Sequence, residues 1–152
     1  MLEPLKQWIC DVCGKLIETP EDGYVIWSDD KNSHYADFKI IHQGQCDKTP
    51  TSGSMSVPEF LGDNGCSNLL SFLSKGLIRV NHTEVPSTIS PANIDDFVDL
   101  FRRLQTPFYE EARIHFDNSE LFQEFREEND RYVYSEKNLR QIIKRYGEYQ
   151  VQ

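Results

Sequence analysis

The stretch Trp8-Ile9-Cys10-Asp11-Val12-Cys13-Gly14-Lys15 decides how this chain is to be read. A short strand-like pair leads into Cys-x-x-Cys, and a glycine follows at once. The longest apolar runs, such as residues 69–73, are far too short to span a membrane, and residues 1–8 lack the apolar core of a signal peptide. A cytoplasmic location is therefore the expectation. Thiols stay reduced there, so four cysteines in 152 residues argue for metal coordination over a disulfide framework. A redox Cys-x-x-Cys expects a βαβ setting with a helix after it, whereas Gly14 and short strand-like text follow here.

Cys10-Asp11-Val12-Cys13-Gly14-Lys15 resembles the zinc knuckle of zinc-ribbon and treble-clef proteins. That resemblance implies two thiolates on a tight turn, a glycine that lets the backbone reverse beneath the metal, and one structural zinc ion (Zn2+). A tetrahedral site needs two further ligands. His42 and Cys46 have the spacing of a ligand pair and stand at the end of a predicted strand that can return to the knuckle, so the expected set is Cys10, Cys13, His42 and Cys46. The rivals are Cys66, which would make a four-cysteine site, and His34 or His82. Cys66 falls on the apolar stripe of a predicted helix and reads first as a small buried hydrophobe. The second pair is His-x-x-x-Cys where the commonest zinc ribbons repeat Cys-x-x-Cys, which weakens any transfer of function from the ribbons of the transcription machinery.

Three short strands are predicted around this motif, at Trp8-Ile9, Tyr24-Val25-Ile26-Trp27 and Phe38-Lys39-Ile40-Ile41, each rich in aromatic and β-branched residues. The polar run from Ser28 to Ser33 reads as a hairpin turn between the second and third. So small a sheet is unstable unaided. Aromatics near the knuckle, Trp8, Trp27, Tyr24 and Tyr35, read as the core that the metal completes.

Residues 43–56 turn to Gly, Ser, Thr, Asp and Pro and read as a linker, which divides the chain into a zinc-binding β segment (1–42, closed by Cys46), the linker, and a helical domain (57–152). Apolar spacing predicts a helix over 64–75, with Asp63 as cap and Gly76 as stop. Ser90-Pro91 and Thr106-Pro107 each look like a helix start, which gives a bent pair over 91–105 and 107–117. A shorter acidic helix over 119–128 and a last one from Ser135 to Gly147 complete the pattern. The expected fold is α+β: a zinc-stabilised short β-sheet followed by a C-terminal bundle of four to five helices.

A net charge of -9 speaks against a broad nucleic-acid footprint, although Lys137, Arg140, Lys144 and Arg145 make the last helix basic. Residues 107–130 set eight carboxylates against Arg113 and Arg126, and opposite charge on neighbouring helices reads as packing within the fold. Glu111 and His115 are spaced to share a metal or a proton on a helix, but a solvated surface pair is the plainer reading. No nucleophile triad, P-loop or dinucleotide fingerprint is present. A closed four-ligand zinc site leaves no place for substrate, so the expected function is that of a non-enzymatic regulatory or adaptor protein acting through a protein partner. Two alternatives stand beside it. One is a zinc-ribbon regulator that binds nucleic acid, and the other is a metal-dependent hydrolase in which water replaces one ligand.

Overall fold

Strand-forming text at the N-terminus becomes two small antiparallel sheets in the computed structural model, which describes residues 2–47, 51–78 and 90–147. Strands β1 (Trp8–Ile9) and β2 (Leu16–Ile17) pair across the cysteine turn, with Trp8 opposite Ile17. In the second sheet β3 (Gly23–Asp29) is central, flanked by β4 (Tyr35–His42) and β5 (Gly53–Ser56). The three predicted strands fall on β1, β3 and β4. The hairpin between β3 and β4 is held by the Asp30 carboxylate, which accepts the backbone N–H groups of Asn32 (2.8 Å) and His34 (2.9 Å).

Strand β5 corrects the linker as read from sequence. Gly-Ser-Met-Ser has no strand composition, yet Ser54 pairs with Ile26 and Met55 with Val25, which satisfies backbone groups on the open edge of β3. Glycine is required at its first position, because the Trp27 ring fills the space a β-carbon at Gly53 would need. Residues 48–50 and His82 lie outside the described residues.

Helix α1 (Gly62–Leu73) starts and stops two residues earlier than predicted, so Asp63 sits in its first turn instead of capping it. Leu69 is buried, whereas Leu70 is exposed and Leu77 lies beyond the helix in solvent. Helix α2 (Ile94–Gln105) starts three residues later than expected. Its cap is Asn93, whose side chain accepts from the N–H groups of Asp95 (2.8 Å) and Asp96 (3.3 Å). Ser90-Pro91 serves another purpose: Tyr35 donates its N–H to the Ser90 carbonyl and accepts that of Ala92, an extended bridge onto β4.

Helix α3 (Tyr109–Arg113) is far shorter than predicted, preceded by Phe108 at φ 69°, a left-handed residue that breaks any continuation from Pro107. Helix α4 (Glu120–Glu124) is short as well. Helix α5 (Glu136–Tyr146) matches its prediction, with Ser135 accepting from the Asn138 N–H at its start.

Apolar packing forms two clusters among the described residues. Trp8, Cys10, Ile17, Val25, Ile40 and Ile41 from the strands share one core with Leu69 of α1 and with Phe97, Leu100 and Leu104 of α2. Tyr109, Ala112, Leu121, Leu139, Ile142 and Ile143 make the second, from α3 onward. Trp8 and Trp27 belong to or pack on the first, as the reading of the aromatics as core requires. The fold is α+β, with the cysteine motif beside the N-terminal strands. No helix among the described residues is long and apolar enough to cross a membrane.

Candidate metal centre

The turn between β1 and β2 is closed by two backbone bonds of 2.9 Å, from the Gly14 N–H to the Cys10 carbonyl and from the Cys10 N–H to the Lys15 carbonyl. Gly14 takes φ +72°, a left-handed conformation that glycine adopts without steric cost. This turn presents Cys10 and Cys13. Strand β4 delivers His42 at its last position, and the turn that follows it carries Cys46 back toward the same point.

The ligand atoms of Cys10, Cys13, His42 and Cys46 all lie within 4.8 Å of one another, close enough to bind one metal ion. His42 Nδ1 is 3.4 Å from the Cys13 sulfur and 3.8 Å from that of Cys46. A tetrahedral ion with metal–sulfur bonds near 2.3 Å and a metal–nitrogen bond near 2.0 Å places sulfur and nitrogen about 3.5 Å apart. The donors therefore fit such an ion.

The far side of the imidazole is fixed too. His42 Nε2 lies 2.9 Å from the Leu16 carbonyl, so it carries the proton and donates it. That tautomer leaves the Nδ1 lone pair aimed at the sulfurs, the arrangement common in metal-bound histidine. Cys10 is buried in the apolar core, His42 and Cys46 are half-buried, and Cys13 faces solvent.

The thiols are electrostatically in conflict. Burial acts to raise the Cys10 thiol, but the backbone N–H groups of Cys13, Val12 and His42 bring it down to about 6. Burial and the adjoining Cys10 and Cys13 sulfurs push Cys46 up to about 11. Three sulfurs this close cannot all ionise beside one another without a cation. A divalent ion relieves that repulsion, because coordinated thiols lose their protons outright.

Behind the cysteine turn lies a polar network that sequence reasoning missed. Asp11 donates its N–H to the Ile40 carbonyl (2.9 Å), and its carboxylate accepts the Ile40 N–H (2.7 Å), which clips the turn to β4. The same carboxylate accepts from Arg103 Nη1 at 2.7 Å. Arg103, only 3% exposed, also donates Nε and Nη2 to Glu110 (2.7 and 2.8 Å) and Nη2 to the Ile9 carbonyl (3.2 Å). Glu110 in turn accepts the Ile9 N–H, and Trp8 Nε1 donates to the Arg103 carbonyl. Burial opposes the Arg103 charge, but Glu110 and Asp11 outweigh it and keep the guanidinium protonated. Asp11 and Arg103 stand 92 residues apart, so no local pattern announces their contact.

The remaining sequence candidates lie outside the cluster among the described residues. His34 sits in the β3–β4 turn, 3.6 Å from Asp30. Cys66 is half-buried on α1. Glu111 and His115 are both buried, which corrects their reading as a solvated pair. Burial raises the Glu111 carboxyl and lowers the His115 ring, each toward its neutral form. The basic helix is partly spent on its neighbours: Arg145 pairs with Glu124 at 2.9 Å and Arg140 with Glu136 at 2.9 Å. Compared with protein families, curated proteins and solved structures, the chain finds no match.

Proposed function

We propose that this chain is a regulatory or adaptor protein, stabilised by one structural zinc ion, that acts by binding another protein and catalyses no reaction. The observation that carries this reading is the closed donor set: three sulfurs and one imidazole nitrogen within 4.8 Å, with the second ring nitrogen already committed to Leu16. Three thiolates and one imidazole are a usual ligand set for structural zinc, and the knuckle resemblance of Cys10 to Lys15 supports the same ion. Zinc bound there would supply folding free energy through Cys10, Cys13, His42 and Cys46 and leave no position for water.

A polar depression of about 340 Å³ beside the cluster, lined by Leu16, Glu18, Asp22, His42, Gln43 and Gln45, favours a hydrolase instead. The nucleic-acid reading is weakened by Arg140 and Arg145, whose ion pairs leave Lys137 and Lys144 as the free cations of α5 among the described residues. Elemental analysis of the purified protein should find one zinc per chain. His42→Ala and Cys13→Ser should lose it, whereas Cys66→Ser should keep it. Retention by His42→Ala with loss from Cys66→Ser would instead assign a four-cysteine site. Hydrolysis of ester or phosphate substrates that a chelator abolishes and added zinc restores would assign the enzyme reading.

A further inference from the structure

The three sulfurs of the cluster differ in what can reach them. Cys13 stands near the tip of the β1–β2 turn, where Val12, Cys13, Gly14 and Lys15 are all exposed. Cys10 is 1% exposed and belongs to the first apolar cluster, with its N–H and its carbonyl both bonded across the turn. Cys46 is half-buried in the turn that follows β4. A small polar oxidant arriving from solvent therefore meets the Cys13 sulfur first, without passing through either core.

Thiolates, not thiols, attack peroxides, and a bound metal ion keeps its cysteines deprotonated. Cysteines that respond to oxidants are exposed and have a second thiol within reach. Cys13 satisfies both conditions, since the sulfurs of Cys10 and Cys46 lie within 4.8 Å of its own. A disulfide needs them at about 2.05 Å, so one partner has to approach. A bond to Cys10 would have to form inside a turn that two backbone bonds of 2.9 Å already hold, with the Cys10 side chain packed in a core shared with Trp8, Ile17 and Val25. A bond to Cys46 draws on the outer turn instead, whose bond from the Asp47 N–H to the Gly44 carbonyl is 3.3 Å long. Cys46 is thus the sulfur free to move.

We propose that Cys13 is a peroxide-modification site whose oxidation closes a Cys13–Cys46 disulfide and ejects the zinc ion. The Cys13 thiolate attacks one oxygen of hydrogen peroxide, the O–O bond breaks, and two electrons pass from sulfur to oxygen. The departing hydroxide takes a proton and leaves as water, with Cys13 now a sulfenic acid. The Cys46 thiolate then attacks the Cys13 sulfur, the S–S bond forms as the S–O bond breaks, and a second hydroxide leaves as water after taking a proton. One peroxide and two protons become two waters. Cys10 and His42 remain as two donors of the four that structural zinc requires, and the ion departs. The proposal rests on the zinc reading given above and names the regulation of that site: peroxide unfastens the cysteine turn from the end of β4, and reduction with zinc present restores it. The bond joins two segments of the chain, so Cys10 and Cys13 do not act as the redox pair of a Cys-x-x-Cys oxidoreductase.

The test adds hydrogen peroxide stepwise to the full chain, whose zinc is counted beforehand by elemental analysis and followed during oxidation with a zinc-binding dye. About one zinc per chain should be released for each peroxide consumed. After free thiols are blocked, trypsin without reductant separates residues 7–15, which hold Cys10 and Cys13, from residues 40–48 with Cys46 and residues 49–75 with Cys66. Mass spectrometry should find 7–15 joined to 40–48, with the bond on Cys13 and Cys10 blocked as a free thiol. In a separate run, dimedone added with the peroxide should trap a sulfenic acid on Cys13 at least about tenfold faster than on Cys66, which lies outside the cluster. A phosphine reductant followed by zinc should restore the starting metal content, and Cys66→Ser should change none of these results.

A disulfide confined to residues 7–15 would overturn the proposal by making Cys10 the partner. Zinc retained while Cys66 is oxidised, or zinc lost to sulfinic acids with no disulfide formed, would overturn it as well. A chain that carries no zinc before peroxide is added would remove the metal reading and the proposal together. The two failures are told apart because that count precedes the oxidant.

Discussion

Arg103 shows how much one side chain can hold. Its guanidinium is buried between two carboxylates from different parts of the chain and reaches the Ile9 carbonyl besides, so four hydrogen bonds tie the cysteine turn to α2 and to Glu110 of α3. A buried ion group of this kind gives little net stability over an apolar replacement of the whole group, because desolvation offsets the attraction. Removing one member is another matter. Arg103→Met would leave Glu110 and Asp11 charged, buried or half-buried, and unpaired, at a cost of about 3–5 kcal/mol. Arg103→Lys keeps the charge but not the planar fork, so it should lose about half as much. Urea denaturation of the zinc-loaded protein checks the order, and equal midpoints for wild type and Arg103→Met would refute the account. Adding Glu110→Leu to Arg103→Met should recover part of the loss, since one orphaned carboxylate then disappears.

At the scale of elements, end chemistry sets the boundaries, and two ends can be tested. Asn93 caps α2 with bonds to two N–H groups, so Asn93→Ala should cost about 1 kcal/mol and lower the melting temperature by roughly 2–4 °C in a chain of this size. An unchanged melt would mean that Asp95 and Asp96 suffice at that end. His115 lies buried just past α3, and its burial lowers the ring's proton affinity below the ordinary value near 6.5. Below about pH 6.5 the unfolded chain takes up a proton that the folded chain resists, so stability falls with pH until the lower folded value is passed. His115→Gln should remove that part of the slope, measured as a smaller shift in urea midpoint between pH 7.5 and 5.5 than wild type shows. The same elements show what a sequence displays and what it hides. Strands β1, β3 and β4 are legible because Trp, Tyr, Val and Ile crowd them, and the candidate ligands are legible because a turn and a strand end impose spacing. Strand β5 is not, since Gly-Ser-Met-Ser becomes a strand only because β3 offers a free edge. The start of α2 is hidden because Ser90-Pro91 has the form of a cap while its backbone is engaged by Tyr35.

For the molecule as a whole, the question is whether the metal would be a local staple or a condition for folding. A staple would free residues 10–17 on removal and leave the rest intact. The packing argues otherwise, since Trp8 and Cys10 belong to the core that holds Val25, Ile40, Leu69 and Phe97, while Asp11 joins β4 to Arg103. Structural zinc is worth on the order of 10 kcal/mol, as much as the entire stability of an ordinary domain. The second cluster, in a segment of about 40 residues after Thr106, is too small to stand by itself once α2 is lost. Stripping zinc with a strong chelator should therefore unfold the chain in one cooperative step. Hydrogen exchange followed by mass spectrometry should show β3, β4, α2 and α5 losing protection together, with full recovery when zinc is returned. If α5 kept its native protection while β3 and β4 exchanged freely, the two clusters would be independent folding units. If only residues 10–17 exchanged, the metal would be a local fastening and the apolar core of Val25, Ile40, Leu69 and Phe97 would hold without it.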